Sequence, residues 1–134
     1  FSAEDPALWD QIPALLEEGD IRPPRVLELA EATSLDRRTT ERFLARAARA
    51  GLIHQVADNR FFLPESLMKL GKMAAVLATE VPDGIFSAGD FNKRSGIGRN
   101  LTISLLEFFD RKGLTHRSGN GRTVVTAPEK IFGN

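Results

Sequence analysis

The chain has 134 residues, with 18 Lys and Arg balanced by 18 Asp and Glu, and its 42% hydrophobic content is that of an ordinary globular protein, enough for one average domain or two small ones. It contains no cysteine, which excludes disulfides and thiolate metal sites, and its two histidines, His54 and His116, stand too isolated to suggest a metal cluster. No apolar run reaches the length of a membrane span and no signal-peptide pattern opens the chain, so a cytoplasmic protein without a membrane partner is expected, and the start at Phe1 suggests a piece of a longer protein.

In chain order, residues 5–17 are amphipathic, with Leu8, Ile12, Leu15 and Leu16 on one face and Pro13 predicting a kink or a shortened helix. Gly19 and Pro23-Pro24 mark a loop, and Pro24 is placed to open a short helix running to about residue 32. A third helix is expected from Leu35-Asp36 to Ala50, stopped by Gly51, and residues 52–56 and 60–63 read as a hairpin. The order then recurs. Residues 65–79 form a helix with Leu67, Leu70, Val76 and Leu77 inward, and VPDG is a turn. A short helix from Ser87 or Ala88 to about Arg94, a long helix over 98–112 and a hairpin around SGNG complete the chain.

Sliding the sequence on itself by 62 residues superposes the two halves without a gap. Arg37 falls on Arg99, Leu44 on Leu106, Gly51-Leu52 on Gly113-Leu114, His54 on His116 and Arg60 on Arg122. Such self-similarity means two copies of one supersecondary unit. The expected fold is mainly α with small β-hairpin wings: two tandem winged-helix (helix-turn-helix) domains, over residues 1–63 and 64–134. The neutral total also hides an uneven distribution. Residues 1–36 carry nine acids against two bases, while 37–60 carry six bases against two acids and 91–126 seven against two. Two basic segments hint at a polyanionic partner, although solvated helix faces produce the same pattern.

The sharpest motif is GIGRN, residues 96–100. It lacks the preceding strand, third glycine and lysine-hydroxyl ending of nucleotide loops, so a nucleotide site is rejected. It suits the turn of a helix-turn-helix, with Ile97 in the core and Gly96 and Gly98 allowing sharp backbone and close approach. Arg99 and Asn100 then project from a helix start that favours anions. A purely structural turn is the alternative. In RSGNGR, the Asn120-Gly121 pair answers a hairpin's need, but Arg117 and Arg122 on its flanks are unexplained by turn geometry and suggest an anion-binding wing. Arg38, Arg42, Arg46 and Arg49 share one face of the first long helix, a second polyanion surface or simply a solvated face. No residue set matches a catalytic motif.

The second half resembles the C-terminal winged-helix repeats of the bacterial selenocysteine-specific elongation factor, SelB. The similarity rests on GIGRN (96–100), LEFFD (106–110), THR (115–117) and the GNGR wing (119–122), and over residues 1–80 mainly on the tandem order. The resemblance implies that the chain is not itself an enzyme and needs no cofactor. GTP and magnesium would belong to a GTPase domain upstream. It implies binding of the selenocysteine-insertion hairpin of selenoprotein mRNA by a monomer, through Gly96, Gly98, Arg99, Asn100, His116, Arg117 and Arg122. Residues 1–63 would act as a spacer or a ribosome-facing arm. Asn100 stands where lysine is common in the family and His116 where arginine is common, so two fixed charges are missing. The competing readings are a DNA-binding winged-helix regulator and a protein-docking winged helix. The first would need polar, base-reading residues along the long helix, which instead carries Leu101, Ile103, Leu105, Leu106, Phe108 and Phe109.

Overall fold

The computed structural model describes residues 5–133, with side chains from Leu8 onward. The chain divides into two compact units, Phe1–Ser66 and Leu67–Asn134. In the first, α1 (Asp5–Gly19), α2 (Val26–Thr33) and α3 (Arg37–Arg49) precede a hairpin of β1 (His54–Ala57) and β2 (Arg60–Phe62). Helix α4 (Pro64–Glu80) crosses the division. In the second, a 3₁₀ turn (Pro82–Gly84) leads to α5 (Ala88–Ser95), α6 (Arg99–Lys112), a hairpin of β3 (Thr115–Ser118) and β4 (Gly121–Val124), and α7 (Pro128–Phe132). This is the winged-helix order twice over. The same offset of 62 residues separates Val26 from Ala88 and Arg37 from Arg99, the first residues of corresponding helices. Among the described residues no helix is long and apolar enough to cross a membrane, and no group of His, Asp and Glu could hold a metal ion.

In the first unit, Leu8, Ile12 and Leu16 at helical spacing bury the inner face of α1 against Leu29, Phe43 and Leu44. Trp9 lies edge-on to Phe43, with ring centroids 5.1 Å apart, so it is a core residue of this unit. Pro13 does not break α1, which continues to Gly19. Pro24 lies outside α2: Arg25 is extended (φ −71°, ψ 161°) and the helix starts at Val26. The hairpin tip is tied back to that start by the Val26 N–H, which donates to the Asn59 carbonyl at 3.0 Å.

In the second unit, the inner face of α4 is Leu67, Leu70, Ala74 and Leu77, whereas Val76 is exposed, one position off that face. Phe91, Ile97, Leu105, Leu106 and Phe109 form the centre of the core and are all fully buried. Ser87 caps α5 with a reciprocal pair of bonds: its hydroxyl accepts from the Asp90 N–H and its own N–H donates to the Asp90 carboxylate, both at 3.0 Å. Phe86 adds a short third strand to the wing, exchanging backbone hydrogen bonds of 3.0 and 2.9 Å with Arg122. Helix α7 was not expected. It is held by Phe132, whose ring lies against those of Phe108 and Phe109.

Candidate nucleic-acid interface

The start of α6 is built from the GIGRN turn. Gly96 closes α5 in the left-handed conformation (φ 71°), and Ile97 plugs the core at 1% exposure. Gly98 then takes φ 100° and ψ 155°, a region essentially reserved for glycine, as the residue preceding α6. Its N–H is held by the Asn92 side-chain oxygen at 3.0 Å, which fixes the turn. Arg99 and Asn100 are exposed in the first turn that follows. Glycine offers no side chain to cap the helix, so the first N–H groups of α6 have no side-chain partner. The corresponding helix start in the first unit is closed: the Asp36 carboxylate accepts from the Thr39 N–H at 2.7 Å. Hydrogen bonding by Thr39, from its side chain and then its backbone N–H, with Arg42 and Arg38 adding smaller contributions, holds the Asp36 carboxyl below its ordinary range. One start carries an acid; the other is open and flanked by arginine.

A cavity of about 350 Å³ opens beside this start, between α5 and α6, lined by Ala88, Gly89, Asn92, Arg99, Thr102 and Ile103. The Thr102 hydroxyl is buried there without a hydrogen-bond partner, whereas its repeat mate Thr40 donates to the Asp36 carbonyl at 3.0 Å.

The wing differs from expectation in two respects. Its turn is Gly119-Asn120, since Ser118 pairs with Gly121 and Gly119 alone has a positive φ, of 60°. That is the two-residue hairpin with glycine at its first central position. Gly121 is needed for a different reason: a Cβ there would stand 2.7 Å from the Phe86 carbonyl oxygen, so only glycine admits the third strand. The second difference concerns Arg122, placed by sequence among the RNA-contacting residues. It is buried at 7% exposure, and its Nε and Nη2 each reach Asp110 Oδ2 at 3.0 Å. Asp110 also accepts from the Thr115 hydroxyl at 2.6 Å. Arg122 therefore ties the wing to the end of α6, and a guanidinium committed inward to a carboxylate is a poor phosphate ligand.

Arg117, opposite Arg122 in the ladder, remains exposed, as does His116 opposite Thr123. The accessible candidates thus form two groups, Arg99 and Asn100 at the helix start and His116 and Arg117 on the wing. Arg122 belongs to neither. It sits at Asp110, eleven residues and about 16 Å of helix from Arg99. On the first unit, Arg38 and Arg42 are exposed and Arg46 is half-buried. Sequence reading missed Asp110 as a wing anchor. The signal available was an acid two residues before the end of α6 in a segment otherwise rich in bases.

A family model described as "Elongation factor SelB, winged helix" matches residues 81–124, the span holding both candidate groups. The solved structure of the mRNA-binding domain of elongation factor SelB from E. coli, determined in complex with SECIS RNA, matches with a TM-score of 0.83 and 32% identity. The match covers 94% of this chain and 100% of that one. The chain belongs to the SelB family. The selenocysteine-specific elongation factor of Escherichia coli is 35% identical over 133 residues, covering 97% of this chain and 21% of that protein. Its counterpart in Haemophilus influenzae is 28% identical over 120 residues, covering 90% and 19%. The chain thus spans about a fifth of the length of these curated SelB relatives. What it resembles in them is a winged-helix domain, not a catalytic one.

Proposed function

We propose that the chain binds the tip of the selenocysteine-insertion hairpin in selenoprotein mRNA, with residues 64–134 as the RNA-binding domain. The binding serves delivery of selenocysteyl-tRNA at UGA codons. The observation that carries this reading is the open, glycine-led start of α6, with Arg99 and Asn100 exposed on its first turn. Unpaired N–H groups, the helix dipole and Arg99 together favour a backbone phosphate, and the Asn100 amide can read an unstacked loop base. The buried, unpartnered Thr102 hydroxyl offers a further polar contact beside it. Arg117 and His116 grip the backbone from the wing.

The outer face of α6 argues against a DNA-reading helix. In its middle turns it exposes Ile103 and Glu107, an apolar residue and an acid where a major-groove reader needs hydrogen-bonding and basic side chains, and its further bases, Arg111 and Lys112, come only in the last turn. In this proposal the chain acts as a cytoplasmic monomer, one RNA per chain, and its first domain faces the ribosome. GTP and magnesium are handled by a GTPase domain elsewhere in the full-length factor.

The test is a titration of a selenoprotein hairpin and of a DNA duplex matched in length and salt, with wild type and Arg99→Ala. The proposal expects tighter binding of the hairpin and a loss of that advantage in the variant. Tighter binding of the duplex contradicts it.

A further inference from the structure

Arg60 raises a question that its repeat mate Arg122 does not. Both are buried at the base of a wing, at 8% and 7% exposure. Arg122 is neutralised by Asp110, but the position in the first unit that corresponds to Asp110 is Ala48. Arg60 therefore lacks, among the described residues, the direct carboxylate pairing that Arg122 has. Its Nη1 donates to the Pro23 carbonyl, which pins β2 to the loop before α2 and uses one of five N–H donors.

The guanidinium lines an open cavity of about 430 Å³ whose rim carries two more arginines, the exposed Arg22 and Arg25, with Gly19, Pro23 and Pro24 along its wall. A buried cation without a counter-charge is costly, and two further cations beside it raise the cost. Burial, and then the charges of Arg25 and Arg22, push the Arg60 guanidinium below its ordinary pKa, and the Glu28 carboxylate opposes them only in part. Two acids also line the cavity, the exposed Glu18 and Glu28, which accepts from the Arg25 N–H at 2.8 Å, and together they offset two of the three cations. An incoming anion would complete the site.

We propose that this cavity binds a phosphodiester of an RNA backbone, held by Arg60 at its floor and by Arg22 and Arg25 at its rim. With three arginines against two carboxylates the site carries a net charge of about +1, which a singly charged phosphodiester neutralises. The choice of RNA as the source rests on the function proposed above. The cavity supplies a contact blind to sequence and independent of the hairpin tip, because it holds arginines and no group placed to read a base.

The test uses the whole chain and a blunt RNA duplex of unrelated sequence, without a loop, followed by fluorescence anisotropy across a salt series. The double variant Arg22→Ala/Arg25→Ala changes only exposed side chains and should fold. It is expected to bind the duplex about ten-fold more weakly and to lose about 0.9 from the salt slope, that of one phosphate contact. The same loss should appear when the double variant is made in an Arg99→Ala background, since the two contacts are independent. Nitrogen-detected spectra should show the Arg60 Nε moving on addition of duplex but not of inorganic phosphate. Unchanged duplex binding in the double variant, or no duplex binding by wild type, overturns the proposal. So does an Arg60 signal that responds to inorganic phosphate alone. If the chain shows no preference for the hairpin and the double variant still loses the duplex, the hairpin reading falls and this pocket stands.

Discussion

Asp110 accepts from Thr115 and Arg122 at once, so one carboxylate fixes both strands of the second wing to α6. Removing it leaves a buried guanidinium without its counter-charge, whereas removing Arg122 leaves a carboxylate whose side chain is 26% exposed and can be hydrated. Asp110→Ala should therefore destabilise the second unit by about 3 kcal/mol and Arg122→Ala by roughly half as much, as read by denaturant unfolding. Equal losses would contradict the asymmetry. Arg117→Ala should leave stability unchanged and instead lower the salt slope of hairpin binding by about 0.7 to 0.9. The two arginines flanking SGNG look alike in sequence, and nothing local distinguishes them. The difference is made by a carboxylate seven residues before one and twelve before the other, brought close by the turn at Gly113. Gly98 sharpens a further expectation. A side chain there would stand in the way of a closely approaching RNA, and the φ of 100° sets a separate penalty. Gly98→Ala should lower stability by about 1 to 3 kcal/mol as well as weakening RNA binding.

At the scale of elements, corresponding helices have different chemistry at their starts. In α3 the Asp36 cap stabilises the helix in its charged form, and its pKa is held below the ordinary 3.8. The stability it contributes is present above that ordinary value and is lost as pH falls through the lowered folded value. Acid titration of Asp36→Asn, whose amide caps without titrating, should lack this component, and an identical acid profile would show that the cap does not matter. In α6 the start is left for a ligand. Arg99→Ala should weaken all hairpins about equally and lower the salt slope by about 0.7 to 0.9. Asn100→Ala should keep the slope and relax discrimination between loop sequences by about 1 to 3 kcal/mol. Helix extents were legible because their signals are local: Asp36 and Ser87 as caps, Gly113 as a stop, and apolar spacing between them. Pro13 misled: it stands at mid-helix and removes a backbone hydrogen bond, but the buried face of Leu8, Ile12 and Leu16 holds α1 together across it. Helix α7 was invisible because its five residues owe their conformation to Phe132 meeting Phe108 and Phe109, a contact no short window contains.

At the scale of the molecule, the repeat has been turned to unequal ends. The two units share helix positions to the residue, so duplication of the fold could be read directly from the 62-residue offset. Their sites diverge where single residues changed: Asp36 against Gly98, and Ala48 against Asp110. The first change closes one helix start and opens the other; the second leaves Arg60 without the direct ion pair that Arg122 has. The candidate site was legible at Arg99 and Asn100, where the turn motif fixes direction, and not at Arg122, whose direction depends on tertiary pairing. The central claim is that one hairpin is recognised at the start of α6. Calorimetric titration of the whole chain with a selenoprotein hairpin and with the same stem closed by a scrambled loop tests it most directly. The account predicts one RNA per chain and at least ten-fold tighter binding of the native loop, a preference that Asn100→Ala erodes and Arg99→Ala keeps while weakening both hairpins. Equal affinity for the two loops, or two hairpins per chain, would contradict it.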